Sequence, residues 1–222
     1  MTLQALIFDL DGTLVDTAPD LHAATNHVLG QIGRHPISMA ELRAFVGHGA
    51  MNLIERGVAA TGEPVDQDTL KRLHKSFLDY YGGNIADHSV VFDGLLAVLD
   101  KAQARGLKLG VCTNKVEKLS YKLLTELGMM QRFGSLIGGD TLPVMKPDPA
   151  PLFEAISRLG VDPARAMMVG DSETDIRTAQ NAGVPVLAVT FGYTAQHVRA
   201  FDPTHMIDHY DDAWAIIESY LS

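Results

Sequence analysis

The chain has 222 residues, a length that suits one domain with an insertion or two small domains. Its 27 acidic and 18 basic side chains give a formal net charge of -9, which argues against nucleic acid as the main partner. The single cysteine, Cys112, excludes a disulfide framework. Because the sequence shows no signal segment and no apolar run long enough for a membrane helix, we expect a cytoplasmic protein with no membrane partner.

An apolar run at residues 5–8 predicts a buried strand near the start of the chain. Asp9 and Asp11 follow this strand, and carboxylates are costly to bury unless a cation meets them. Beyond them, apolar residues recur at helical spacing as far as residue 83, which predicts an all-helical segment. Within that segment the predicted helices are residues 19–32, 39–45, 51–60 and 66–81.

From about residue 93 the pattern changes to helices that alternate with short apolar strands. The predicted helices are 94–105, 117–127, 151–159 and 175–182, and the predicted strands are 108–112, 135–137, 166–169 and 185–189. This alternation predicts an α/β fold, a parallel sheet wrapped by helices with right-handed crossovers. Because the first strand needs this sheet as its neighbour, the helical segment must be an insertion. We therefore predict an α/β core of residues 1–15 and 84–222, and a helical domain of residues 16–83.

Polar side chains follow the predicted strands, at the edge where parallel sheets gather their ligand groups. They are Asp9 and Asp11 after the first strand, Thr113, Asn114 and Lys115 after the second, Asp171 and Asp175 after a later one, and Lys146 in a loop before a helix. Each motif alone also suits a turn or a helix cap. Together they place several carboxylates, a hydroxyl group and a lysine at one edge of the sheet, which favours a functional site.

Phosphoryl transfer is the chemistry that these residue types suit. Carboxylates bind Mg²⁺, which prefers oxygen ligands. One carboxylate can attack phosphorus to form an acyl phosphate, while a second protonates the leaving oxygen and later deprotonates the attacking water. Asp9 and Asp11 provide such a pair. Lys146 and the hydroxyl of Thr113 can hold the remaining phosphoryl oxygens.

Four segments, F-D-L-D-G-T-L, V-C-T-N, K-P-D-P and V-G-D-S-E-T-D, resemble in this order the four motifs of the haloacid dehalogenase superfamily of phosphatases. The resemblance implies a Rossmann-like parallel-sheet core with an inserted helical cap, Mg²⁺ as cofactor and a small phosphorylated metabolite as substrate. The site residues that it implies are Asp9 as nucleophile and metal ligand, Asp11 as general acid/base and metal ligand through its carbonyl, Thr113, Asn114 and Lys146 for phosphate, Asp171 as metal ligand, and Asp175 in the second shell of the metal.

Longer runs, among them K-P-D-P-A-P-L-F and F-V-G-H-G, resemble the phosphoglycolate phosphatase branch of that superfamily. The glycines of V-G-H-G, Gly47 and Gly49, permit close backbone approach, and a helix that begins near Ala50 offers unpaired N–H groups to an anion. We therefore expect Gly47, His48 and Gly49, with Arg43 one helical turn earlier, to read the carboxylate of 2-phosphoglycolate.

Other activities use similar residues. A phosphosugar mutase of the β-phosphoglucomutase type needs the same two aspartates, and pyrophosphatases share much of the same motif sequence. A non-catalytic binding protein can also keep such a fold. The sequence leaves the oligomeric state open between monomer and homodimer.

Overall fold

The computed structural model of the protein describes residues 2–221, which form an α/β fold with a group of helices inserted after the first strand. The strands are β1 (Ala5–Phe8), β2 (Val15–Asp16), β3 (Val90–Val91), β4 (Lys108–Cys112), β5 (Ser135–Ile137), β6 (Ala166–Gly170), β7 (Val186–Val189) and β8 (His205–Ile207). The α-helices are α1 (Ala18–Gly30), α2 (Met39–Phe45), α3 (Ala50–Thr61), α4 (Gln67–Gly83), α5 (Leu95–Ala104), α6 (Glu117–Glu126), α7 (Ala150–Arg158), α8 (Glu173–Ala182) and α9 (Ala213–Ser219).

Six strands form a parallel sheet in the order β5-β4-β1-β6-β7-β8. The central strand β1 pairs with β4 on one side and β6 on the other, and all four of its residues are buried. A strand that is covered by helices on both faces is apolar throughout, which is why the run A-L-I-F lies at the centre of the sheet. The strand order reverses beside β1, so its carboxyl end lies where such sheets bind ligands.

The inserted helices α1 to α4 pack against one another beside this edge of the sheet. Polar residues define where they begin: Ser38 and Glu41 form a capping box at α2, and the Asp66 side chain accepts the N–H of Thr69 at α4. The antiparallel pair β2–β3 joins the two ends of the insertion, with Val15 opposite Val91. The exact division into a core of residues 1–15 and 84–222 and a cap of residues 16–83 stays a prediction.

The predicted parallel α/β architecture is confirmed, and the differences are shifted ends of elements and short strands that were not predicted. Helix α8 begins at Glu173 rather than at residue 175, because Ser172 is its N-cap and Asp175 completes a capping box. Helix α3 begins at Ala50, one residue earlier than predicted. The pair β2–β3 escaped prediction because strands of two residues carry no readable periodicity. Strand β8 was also not predicted. Within residues 2–221, no helix has both the length and the apolar character of a membrane span.

Asp20 ties the beginning of the insertion to its end. This buried side chain on α1 accepts the N–H of His88 at 3.1 Å, the N–H of Ser89 at 2.8 Å and the hydroxyl of Ser89 at 2.6 Å. Without the carboxylate, the N–H of Ser89 is left buried without a partner, which is costly.

We therefore expect Asp20→Ala to lower the free energy of unfolding by about 2–4 kcal/mol, measured by urea denaturation. Asp68→Ala is the matched control, since the Asp68 side chain is 96% exposed, and its effect should stay within about 0.5 kcal/mol. Equal stability of the two variants would contradict a structural role for Asp20.

Candidate active site

The ends of three neighbouring strands bring the predicted site residues together. Phe8 at the end of β1 lies opposite Val111 of β4 and Val169 of β6. The residues that follow these strands therefore meet at one edge of the sheet. Asp9 stays in register with β6, because its N–H donates to the carbonyl of Val169 at 2.9 Å.

Three buried carboxylates form the centre of the site. Asp9, Asp171 and Asp175 each place one carboxylate oxygen within 4.8 Å of the other two. Lys146 Nζ lies 2.9 Å from Asp9 Oδ1 and 2.6 Å from Asp175 Oδ1, and it donates to the carbonyl of Cys112 at 2.8 Å. When ionised, this group carries a surplus of two negative charges.

The pKa values in this cluster reflect that imbalance. Burial raises the pKa of Asp9 to about 6, against the attraction of Lys146. The pKa of Asp171 is raised well above its usual range by burial and by the charges of Asp175 and Asp9. Burial favours the neutral amine of Lys146, but the Asp175 and Asp9 carboxylates outweigh it and raise its pKa. The cluster therefore favours a bound cation.

The donor set fits a divalent cation that prefers oxygen ligands. Asp9 Oδ1 is close enough to Lys146 for an ion pair, but this buried atom has no hydrogen-bond partner among residues 2–221. Both Asp175 oxygens are already engaged, Oδ1 with Lys146 and Oδ2 with the hydroxyl and N–H of Ser172 and the N–H of Asp171. Each Asp171 oxygen accepts one hydrogen bond and keeps a lone pair for a cation. Asp9 and Asp171 are thus the side chains best placed to bind the cation, while Asp175 orients Asp171 and Lys146.

Two residues that the sequence analysis did not single out hold Asp171. The hydroxyl of Thr13 donates to Asp171 Oδ1 at 2.7 Å, and the N–H of Tyr193 donates to Oδ2 at 2.6 Å. The backbone also passes very close to this side chain, because a Cβ on Gly12 or Gly192 would lie 2.5 Å or 2.2 Å from an Asp171 side-chain atom. Thr13 belongs to the motif around Asp11, but the sequence carries no sign of the contact from Tyr193.

Asp11 lies beside the cluster but has different partners. Its Oδ1 accepts the hydroxyl of Thr17 at 2.7 Å and lies 3.0 Å from Lys115 Nζ, which also donates to the hydroxyl of Tyr81 at 2.7 Å. Tyr81 belongs to α4 of the insertion, so this contact joins the inserted helices to the sheet. The sequence predicts Lys115 at this edge of the sheet but indicates no function for it.

The predicted phosphate-binding residues are close together, but one of them has other partners. Thr113 and Lys146 line the same cavity as Asp9. The Asn114 side chain instead donates to the carbonyls of Gly47 and Lys146 and accepts the N–H of Lys146. A phosphate contact from Asn114 would have to come from its backbone N–H.

The cavity lies between the sheet edge and the inserted helices and has a volume of about 50 Å³. Gly47 and Gly49 line it, but Arg43 and His48 do not. Arg43 lies 3.4 Å from Asp16 and stacks over the ring of Tyr193, while His48 faces a neighbouring cavity. The structure thus brings only the two glycines of the expected carboxylate-reading set to the site.

The chain belongs to the haloacid dehalogenase-like hydrolase family, whose sequence model matches residues 6–189. A relative from Mesorhizobium japonicum, named phosphoglycolate phosphatase, is 45% identical over 211 residues that cover 95% of this chain and 93% of the relative. A relative of the same name from Caulobacter vibrioides is 43% identical, and the match covers 93% of this chain and 87% of the relative. The crystal structure of a predicted phosphoglycolate phosphatase from Haemophilus somnus matches with a TM-score of 0.92 at 31% identity. The match covers 97% of this chain and 98% of that chain.

These findings confirm the predicted superfamily and the fold, an α/β core with a helical cap. They also confirm the prediction that the chain is a phosphatase. The inserted helices α1 to α4 are called the cap from here on.

The backbone at Gly192 lies against Asp171, a candidate metal ligand. A Cβ at residue 192 would lie 2.2 Å from the Cβ of Asp171, so Gly192→Ala must displace that side chain. We expect the divalent-metal concentration for half-maximal phosphate release to rise about tenfold or more. Gly30→Ala is the control, because a Cβ there meets no described atom within 4 Å apart from its chain neighbours and its own helix backbone. An unchanged divalent-metal requirement in Gly192→Ala would contradict a metal-binding role for Asp171.

Proposed function

We propose that the protein is a cytoplasmic, Mg²⁺-dependent phosphomonoester hydrolase that acts on 2-phosphoglycolate through an aspartyl phosphate on Asp9. The observation that carries this proposal is the position of Asp9. Its side chain lines a small cavity under the cap together with Asp11, Thr113 and Lys146. Its Oδ1 lies 2.9 Å from Lys146 Nζ but has no hydrogen-bond partner among residues 2–221. A carboxylate in this setting is available both to a cation and to phosphorus.

The proposed mechanism has two halves. In the first, an Asp9 oxygen attacks phosphorus, the bond from phosphorus to the ester oxygen breaks, and Asp11 donates a proton to the leaving oxygen. In the second, Asp11 takes a proton from a water molecule, whose oxygen attacks the phosphorus of the aspartyl phosphate and frees Asp9. Lys146 and the hydroxyl of Thr113 hold phosphoryl oxygens as charge spreads over them. Bound Mg²⁺ would neutralise phosphate charge that otherwise repels the Asp9 carboxylate.

Two observations support a small substrate. The cavity of about 50 Å³ is small, since one water already needs about 10–15 Å³, and it favours a short substrate over a long one. The relatives that match most of the chain carry the name phosphoglycolate phosphatase. Gly47 and Gly49 remain at the cavity wall, so the loop at residues 46–49 stays part of this proposal.

A substrate panel tests the proposed reaction. We expect Mg²⁺-dependent phosphate release from 2-phosphoglycolate with kcat/KM about 10²-fold above that for isobutyl phosphate, in which a neutral branch replaces the carboxylate. Chelation should remove the activity and added Mg²⁺ should restore it. Preference for pyrophosphate, or isomerisation of a hexose phosphate with little phosphate release, would replace this proposal by the corresponding alternative.

Substitution of Asp9 and of Asp11 should reduce turnover in different ways. Asp9→Asn should abolish turnover, because its amide does not attack phosphorus. Asp11→Asn should slow turnover by about 10²- to 10⁴-fold, because proton transfer at the ester oxygen and at water is lost. Rapid-quench measurements with labelled substrate should detect phosphoprotein in the parent and never in Asp9→Asn. Phosphoprotein formation by Asp9→Asn would contradict the nucleophile assignment.

A further inference from the structure

Lys115 is a buried cation at the wall of the active-site cavity. Its side chain is 6% exposed. Lys115 follows β4 in the chain, and its two side-chain partners belong to other segments. Asp11 lies beside the reacting group, and Tyr81 lies on helix α4 of the cap. Lys115 Nζ also lies 4.3 Å from the centre of the Tyr81 ring. The ammonium group therefore stands at the contact between the cap and the acid/base carboxylate.

The other candidate cations are engaged elsewhere. Lys146 is held by Asp9, Asp175 and a backbone carbonyl, and in the proposed function it binds the reacting phosphoryl group. Arg43 pairs with Asp16 and does not line the cavity. Among the described residues that line this cavity, Lys115 is thus the remaining cation for a second negative charge on the substrate.

The cap wall of the cavity strengthens this need for a cation. It consists of apolar side chains and glycines, apart from the hydroxyl of Tyr81, and includes Leu21, Leu53, Phe77 and Leu78. An anion that enters such a wall without a partner loses its hydration and gains nothing in return. A substrate carboxylate on this side of the cavity therefore needs a cation within direct reach.

The chemistry of the substrate places its carboxylate near Lys115. In the proposed function, on which this inference rests, Asp11 donates a proton to the ester oxygen of 2-phosphoglycolate. Only one methylene group separates that oxygen from the carboxylate. A cation that lies 3.0 Å from Asp11 Oδ1 is therefore within reach of the carboxylate when Asp11 is within reach of the ester oxygen.

We propose that Lys115 binds the carboxylate at the non-reacting end of the substrate. The ammonium group gives up part of its contact with Asp11 when the substrate enters, while Tyr81 continues to accept its hydrogen bond. A substrate with a neutral tail leaves Lys115 paired with Asp11. Lys115 thus selects anionic substrates from the core side, and its bond to Tyr81 links this selection to a closed cap.

Selectivity, rather than activity, measures this role, because loss of Lys115 also removes an ion-pair partner of Asp11. The quantity to measure is kcat/KM for 2-phosphoglycolate divided by kcat/KM for isobutyl phosphate. In Lys115→Met this ratio should fall at least tenfold below the parent value. Lys115→Gln should lower the ratio to a similar extent, although its amide can still donate hydrogen bonds to Asp11 and Tyr81. Because two variants are measured, the test does not depend on the folding of one of them. Lys115→Arg should keep most of the preference.

Lys118→Met is the matched control, because it removes the same charge from an exposed position three residues away. Its ratio should equal that of the parent. If Lys115→Met and Lys115→Gln lower kcat/KM for both substrates equally, Lys115 acts only on Asp11 and this proposal fails, although the proposed function stands. If the parent itself shows no preference for 2-phosphoglycolate, the proposed substrate and this role of Lys115 fail together.

Discussion

A charge imbalance at the carboxyl end of β1 governs the rest of the site. Asp9, Asp171 and Asp175 are buried around a single ammonium group, that of Lys146. Burying charges that lack partners is among the most costly things that a fold can do. The surrounding structure offsets part of this cost with hydrogen bonds to Asp171 and Asp175, but one oxygen of Asp9 accepts none from the described part of the chain. The site is therefore suited to a cation and a phosphoryl group, which are the components of the proposed reaction.

The same constraint explains why several neighbours are small or polar. Asp175 serves as the N3 residue of a capping box and as the anchor of Lys146, so the beginning of α8 and the position of the lysine are determined together. Gly12 and Gly192 leave space for Asp171, since any side chain there would collide with it. Local helix formation and the chemistry of the site thus depend on the same atoms.

The cap contacts the core through residues that have roles in the proposed mechanism. Asn114 donates to the carbonyl of Gly47 in the cap loop, and Lys115 donates to Tyr81 on α4. Asp11, in turn, accepts the hydroxyl of Thr17, just before α1. The position of the cap and that of Asp11, the proposed acid/base group, are therefore physically linked. Such a link lets binding energy from the far end of a substrate favour the closed state in which water is excluded.

The sequence by itself determined the α/β alternation, the helical insertion and the strand ends that carry Asp9, Asp11, Thr113 and Asp171, because periodicity and residue type are local properties. Only the tertiary structure decided which cation faces which anion. Arg43, expected at the substrate, pairs instead with Asp16 near the end of β2, and Lys115 occupies the cavity wall. The reason is distance along the chain. A contact such as that of Tyr193 with Asp171 joins segments whose approach depends on the packing of the whole fold, which no local pattern encodes.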